Sequence, residues 1–328
     1  MGKILVTGAT GFTGSNICRR LIGQGEEVVA FVRPSLRVEP LQAMGVECRF
    51  VDIKDRAAVE QHFGGIDRVY HIAAAYRAEH VDTREFFLVN VEATRNLLDA
   101  AKKAGVRRFV HSSTVGVQGE IHDPPADENY RFEPGDHYQE SKKEGELLAL
   151  RYHAEGLPVS VVRPVGIYGP GDTRFLKLFR PISKKMFVMI GSGESLYHMT
   201  YIDDLVDGFM LAGTRPEAVG EVFTIGGESY TTLRELVNII ADVLKKPRPF
   251  MRIPYLPVYA ASVLCDKLCR PLGISPPLYP RRVEFFSKSR AFSIEKAKRL
   301  LGYAPKVGLY EGLGRTGAWY RQRGLIAP

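Results

Sequence analysis

Tyr138 and Lys142 stand four residues apart in the run Tyr138-Gln139-Glu140-Ser141-Lys142-Lys143. That spacing puts both on one face of a helix, whereas Lys143 is turned away by about 100°. A unit charge about 5 Å from a phenol, at an effective dielectric near 20, is worth roughly 3 kcal/mol, enough to lower a tyrosine pKa of about 10 by about two units. Tyr138 is then able to act as acid or base near neutrality. A Tyr/Lys pair on a helix is commonly just packing and solvation, so the elements around it decide the reading.

The second chemical stretch is Thr7-Gly8-Ala9-Thr10-Gly11-Phe12-Thr13-Gly14. It follows Lys3-Ile4-Leu5-Val6, which reads as a buried strand, and leads into Ser15 to Ile22, which has helical apolar spacing. In a strand-to-helix turn Gly8 permits the tight turn, Gly11 lets backbone approach a pyrophosphate, and Gly14 lets helix pack on strand. The helix N-terminus then offers free N–H groups to phosphate. The spacing is G-x-x-G-x-x-G rather than G-x-G-x-x-G, and in this context it predicts a dinucleotide site.

Strands and helices alternate after that turn. Glu27 to Arg33 reads as a second strand, Glu47 to Asp52 as a third and Asp67 to Ile72 as a fourth, opening into Ala73-Ala74-Ala75. Asn90 to Ala101 has an amphipathic helical pattern closed by Gly105. Arg108 to Thr114 is a fifth strand ending in the hydroxyls of Ser112, Ser113 and Thr114, and Pro158 to Pro164 a sixth. The alternation predicts an α/β fold of Rossmann type: a doubly wound parallel sheet, helices on both faces, ligands off the carboxyl ends of the strands. Where an NAD-preferring second strand ends in Asp or Glu, this one ends in Val32-Arg33, with Arg37 close behind, and a guanidinium suits the 2′-phosphate of NADP. Asp52 and Ile53 are expected to meet the adenine edge, unless Asp52 only caps the helix beginning near Asp55. Ala73 and Ala74 are small enough for a cofactor to lie against the backbone.

The charge balance, 45 Lys and Arg against 37 Asp and Glu in 328 residues, comes in short pairs with no long basic tract, so nucleic acid is not indicated. Cys18, Cys48, Cys265 and Cys269 show no disulfide-framework spacing, which favours a reducing cytoplasmic compartment; Cys265 and Cys269 are expected as buried apolar residues and not as a metal site. The first strand begins at Lys3, so no leader is expected, and no apolar run reaches the ~18 residues that span a bilayer.

These motifs together resemble the extended short-chain dehydrogenase/reductases of the NAD-dependent epimerase/dehydratase family, over nearly the whole chain. Thr7 to Gly14 is similar to their T-G-x-x-G-x-x-G loop and Tyr138-x-x-x-Lys142 to their Y-x-x-x-K. Further matches are His71-Ile72-Ala73-Ala74, Asn90-Val91 with Thr94 to Leu97, Arg163-Pro164 with Tyr168 to Asp172, and Tyr201 to Asp204. The resemblance implies Tyr138 as proton donor or acceptor and Lys142 as ligand of the nicotinamide ribose. It also implies a substrate-binding hydroxyl at Thr114, or at Ser113 after one residue of slip. It extends the cofactor contacts from Gly8, Gly11 and Gly14 to Thr10, Phe12, Thr13, Asn90, Pro164 and Val165.

Residues 1–165 are expected to form the NAD(P)-binding domain, its sheet completed by part of 200–228, and 166–328 a smaller substrate lobe. Helices are expected from Phe175, over Asp203 to Gly213, from Thr232 with a Thr-x-x-Glu capping box, and from Ser293 to Leu301; Phe187 to Ile190 and Val222 to Ile225 are strand-like. Pro247 to Pro280, rich in proline and bulky apolar residues, reads as lobe core, with a substrate lid or weak membrane-surface element as the alternatives. Three functions follow: an NADP- or NAD-dependent ketone or alcohol oxidoreductase resembling the 3β-hydroxysteroid dehydrogenase and dihydroflavonol reductase branch, a nucleotide-sugar epimerase or dehydratase, and a silent nucleotide sensor. Nucleotide-sugar members typically carry Asn where Gly166 stands and Arg near Tyr197, so the first reading is preferred; a homodimer is compatible with it.

Overall fold

Aliphatic runs of five or six residues, too short for helices and flanked by turns, form the parallel strands expected of them. The computed structural model describes residues 2–33, 38–76, 82–269, 271, 274 and 276–327. Six strands come first, β1 (Lys3–Thr7), β2 (Val28–Val32), β3 (Glu47–Phe50), β4 (Ile66–His71), β5 (Arg108–Ser112) and β6 (Val159–Pro164). With them run α1 (Phe12–Gly23), α2 (Glu39–Ala43), α3 (Arg56–His62), α4 (Thr83–Phe87), α5 (Ala93–Ala104) and α6 (His137–Ala154). There follow β7 (Gly166–Tyr168), α7 (Leu176–Ser183), β8 (Met189–Ile190), β9 (Leu196–Tyr201), α8 (Ile202–Thr214), β10 (Val222–Ile225), β11 (Tyr230–Thr232) and α9 (Leu233–Leu244). The chain continues through β12 (Arg252–Ile253), α10 (Tyr255–Cys269), α11 (Pro280–Glu284), α12 (Glu295–Leu301) and α13 (Leu309–Gln322).

The central sheet has seven strands in the order β10-β6-β5-β4-β1-β2-β3, all neighbours parallel. Successive residues of each strand feed opposite cores. Ile4, Val6, Tyr70, Val110 and Val162 belong to one, which takes in α1, α8 and α9; Leu5, Val29, Val69, Phe109 and Val161 belong to the other, under α5 and α6. The strand order reverses between β1 and β4, whose last residues Thr7 and His71 are paired. A crevice for ligands opens beyond such a switch point. Smaller sheets, β11-β9-β7 and β12-β8, lie in the C-terminal half.

Several sequence expectations need correction. The third strand stops at Phe50, the fifth at Ser112, and Phe187 to Ile190 shortens to Met189–Ile190. The helix expected from Asn90 begins earlier: α4 runs through a π-turn over Leu88–Glu92 into α5, and in that turn Asn90 Oδ1 accepts from Ala75 N. Asp55, not Asp52, caps α3, accepting from Ala58 N. α12 starts at Glu295, with Ser293 bonded to its first N–H. At α9 Thr232 caps as expected, while the Glu235 carboxylate takes the Thr231 hydroxyl. Cys265 and Cys269 do share a face, sulfurs 3.9 Å apart, but both are only half-buried. The largest correction is Pro247 to Pro280: among its described residues only Ser262, on α10, is buried, so they are not lobe core. Arg37 lies outside the described residues.

Candidate active site

The glycine loop is shaped by contacts no other residue permits. Gly8 has φ +69°, and a Cβ there would meet Ala73 N at 2.7 Å; a Cβ on Gly14 would lie 2.2 Å from the Gly8 carbonyl oxygen. Gly11 is exposed and is the N-cap of α1, with no side chain capping the helix and no acidic residue in its first turn. Thr10, Phe12 and Thr13 flank it, half-buried. The uncapped N–H groups face the crevice side of β1 and suit an anion.

A buried hydrogen-bonded chain ties this loop to the next strand. Thr94 Oγ1 donates to Asn90 O at 2.9 Å, so at its 2.9 Å contact with His71 Nε2 the imidazole must donate. His71 Nδ1 then accepts from Thr7 Oγ1 at 2.7 Å, and Thr7 Oγ1 accepts from Ala73 N at 3.2 Å. His71 is neutral in this arrangement, and burial, with Lys142 adding to it, pushes its pKa down to about 3. β1, β4 and the π-turn are thereby locked together where the sheet order reverses.

Asn90 is part of the same framework. Its Oδ1 accepts from Ala75 N at 2.8 Å, and its Nδ2 donates to Ala75 O and to Ser141 Oγ, at 3.2 and 2.9 Å. The amide is engaged by protein in this way and shapes the loop after Ala73 and Ala74. α6 comes close enough for this because Gly145 has no side chain: a Cβ would meet Asn90 O at 2.4 Å.

Asp136 caps α6 by accepting from Gln139 N at 2.8 Å, and the helix carries Tyr138, Lys142 and Glu146 at successive four-residue steps. Tyr138 is half-buried, edge-on to Tyr76 and Phe86 with ring centroids 5.3 and 6.2 Å away. Lys142 is buried, and its Nζ donates to Ser112 O at 2.5 Å. Burial pushes the ammonium down to about 8, against the upward pull of Glu146. The buried His111 beside it is likewise held well below the usual imidazole range, chiefly by burial.

The two candidate hydroxyls point to different surroundings. Ser113 is buried and donates to Glu146 Oε2 at 2.5 Å, a carboxylate that also takes Arg163 Nη2 at 2.5 Å and Nε at 3.0 Å. Thr114, next along an extended backbone and hence on the other side, is half-buried, and its Oγ1 accepts from Gly116 N. Gly116 lies against the Gln139 side chain, which brings Thr114 beside the first turn of α6. Sequence reading missed Glu146, although its step from Lys142 repeats the step from Tyr138. It also missed Arg174, which stacks over Phe12 at 5.8 Å while paired with Asp172.

The remaining predicted residues fall along the same edge or behind it. Arg33 is exposed just after β2. Asp52 is exposed, accepting from Lys54 N, and Ile53 O accepts from Asn96 Nδ2. Pro164 ends β6, and Val165 is buried with Val115 and Phe292. Among the described residues no group of three or more His, Cys, Asp or Glu could hold a metal.

This loop, switch point and helix match a known family: residues 4–226 match the profile of the NAD dependent epimerase/dehydratase family. The chain belongs to that family. Sterol demethylase protein B of Methylococcus capsulatus is 31% identical over 342 residues, covering 98% of this chain and 99% of that protein. The 3 beta-hydroxysteroid dehydrogenase/Delta 5-->4-isomerase of Mycobacterium tuberculosis is 33% identical over 346 residues, covering 98% and 90%. The crystal structure of UDP-glucuronic acid 4-epimerase from Bacillus cereus with UDP-glucuronic acid and NAD has a TM-score of 0.77 at 27% identity, covering 98% of this chain and 99% of that one. Within the family this member resembles the 3β-hydroxysteroid dehydrogenase branch.

Proposed function

We propose that this protein is an NAD(P)-dependent oxidoreductase for an apolar ketone or secondary alcohol, with Tyr138 as acid or base. The observation that carries the choice of substrate is the packing at two positions where nucleotide-sugar members hold a diphosphate. At Gly166 a Cβ would meet Met199 Sδ at 2.8 Å and His198 O at 3.1 Å, so an Asn there would have to displace the Met199 side chain. Tyr197, standing where an Arg is usual, is buried against Phe285 and donates its hydroxyl to the Phe285 carbonyl. Of the cations that could compensate, Lys177, Arg180 and Arg281, Arg180 reaches Leu325 O and Arg281 pairs with Asp136 at the start of α6. Without charge-assisted contacts of roughly 1.5–3 kcal/mol each, a diphosphate loses orders of magnitude in affinity.

The glycine loop, packed so closely that a Cβ at Gly8 would meet Ala73 N and one at Gly14 the Gly8 carbonyl oxygen, leaves the α1 N-terminus without a side-chain cap, which fits a dinucleotide. Gly8, Thr10, Gly11, Phe12, Thr13 and Gly14 with the α1 N-terminus would hold its pyrophosphate, Arg33 a 2′-phosphate, Asp52 and Ile53 the adenine side. Ala73, Ala74, Pro164 and Val165 would bound the crevice, and Lys142 would meet the nicotinamide ribose. When bound, the nicotinamide supplies or takes the hydride. Tyr138 Oη gives its proton to the substrate oxygen in reduction and takes it back in oxidation, while Thr114 Oγ1 holds that oxygen; Ser113 is left to Glu146. Residues 166–328 contribute most of the substrate lobe.

The test is turnover and binding together. Tyr138→Phe should keep NADP(H) affinity and lose at least the ~100-fold typical of a general acid. Near-normal turnover in Tyr138→Phe on an apolar ketone would refute the role of the phenol. Micromolar calorimetric binding of a UDP- or GDP-sugar, or its epimerisation without net cofactor change, would instead favour an epimerase like the Bacillus cereus structure.

A further inference from the structure

Among the described residues, seven of the fifteen exposed large hydrophobic side chains fall between positions 250 and 274. On α10 they are ordered: Leu256, Leu264 and Leu268 are 76, 59 and 59% exposed, and with the exposed Ala260 they recur every four residues. That makes an oblique outward stripe, drifting by about 40° at each step, along a helix about 22 Å long. The half-buried side chains Tyr255, Val258, Tyr259 and Val263 lie between and inward, so the helix is apolar on both sides. Phe250, 87% exposed, Met251 and Ile253 precede it on the same segment. β12 pairs with β8 in parallel, which brings Met186, also exposed, to the same end of that small sheet as Phe250.

Charge is concentrated in the same region. Residues 245–290 contain ten Lys and Arg but only two Asp and Glu, leaving 35 of each in the rest of the chain. The whole formal excess of +8 therefore belongs to this one segment. Arg248, Arg281 and Lys288 are ion-paired with Asp242, Asp136 and Glu284, while Arg252 on β12 and Lys267 on α10 are exposed. A contiguous apolar stripe inside a basic rim is the composition of an interfacial helix.

We propose that α10 and the strand before it dock on the surface of a lipid bilayer bearing anionic headgroups. The leucine stripe enters the acyl boundary and the basic rim faces the headgroups. The helix lies on the bilayer and does not cross it: no helix among the described residues is long and apolar enough to span. A second copy is the poorer occupant, because a two-fold interface would set this excess of positive charge against itself. The proposal does not depend on the substrate assigned above.

Flotation of the full chain with phosphatidylcholine vesicles, with and without phosphatidylglycerol, tests it. The protein should float with the mixed vesicles, less in high salt, and hardly at all with phosphatidylcholine alone. The triple variant Leu256→Gln, Leu264→Gln, Leu268→Gln, substituted only at exposed positions, should partition at least ~100-fold more weakly with unchanged circular dichroism. Arg252→Gln with Lys267→Gln should lose roughly 20-fold on mixed vesicles only. Wild-type protein that stays unbound with both vesicle types, or a triple variant that floats like wild type, overturns the proposal. So does self-association in vesicle-free solution that disappears in the triple variant, which would give the stripe to a second copy.

Discussion

Replacing Lys142 with Met should make the protein more stable while abolishing turnover. Burial takes the Lys142 ammonium from 10.5 to about 8, so by linkage the folded chain gives up about 3 kcal/mol to keep that charge at pH 7. Met fills a similar volume without charge, but leaves Ser112 O without the Nζ donor it has at 2.5 Å, a loss of about 1 kcal/mol. The expected gain at pH 7 is therefore about 2 kcal/mol. Its pH dependence follows from the sign of the shift. An unfolded lysine holds its proton up to 10.5 and the folded one only to about 8, so between these values the unfolded state binds more protons and wild-type stability rises with pH. The cost is fully present below 8 and is recovered as pH approaches 10.5, so the advantage of Lys142→Met should vanish near pH 10. Urea unfolding of both proteins, followed by circular dichroism at pH 7 and pH 10, measures it. A variant no more stable than wild type at pH 7, or an advantage unchanged at pH 10, refutes the assignment of a costly buried ammonium.

Gly14→Ala should lower stability by roughly 2–3 kcal/mol and weaken dinucleotide binding at least tenfold by fluorescence titration, because its Cβ would lie 2.2 Å from Gly8 O. Gly23→Ala, with nothing within 4 Å of the new methyl, is the control and should be neutral or slightly stabilising. Glu146→Ala leaves Arg163 buried without its carboxylate and should cost about 3–5 kcal/mol in denaturant unfolding; a cost under about 1 kcal/mol would mean that water replaces the carboxylate. Arg33→Ala should weaken NADPH binding at least ~10-fold and leave NADH binding unchanged; equal affinities for both cofactors in wild type would remove the basis for NADP preference.

What the sequence alone determined is whatever short-range geometry dictates. A strand of β-branched residues, a glycine turn and an amphipathic helix follow one another within Lys3 to Ile22, so the loop and the parallel sheet built on it are readable from neighbours in the chain. Tyr138 and Lys142 share a face because four residues make little more than one helical turn. Only the tertiary structure decided matters that turn on partners far along the chain. Ser113 is held by Glu146, 33 residues away, whereas Thr114 next to it is half-buried and accepts from Gly116 N. The Asn90 amide is engaged by Ala75, 15 residues earlier, and the Lys142 ammonium has its pKa lowered by a burial that no spacing encodes. Pro247 to Pro280 is the sharpest case. Its composition is that of a core, yet burial depends on what packs against a segment, and the fold packs α10 only from within. Local backbone preferences are properties of a few consecutive residues, whereas burial belongs to the assembled chain.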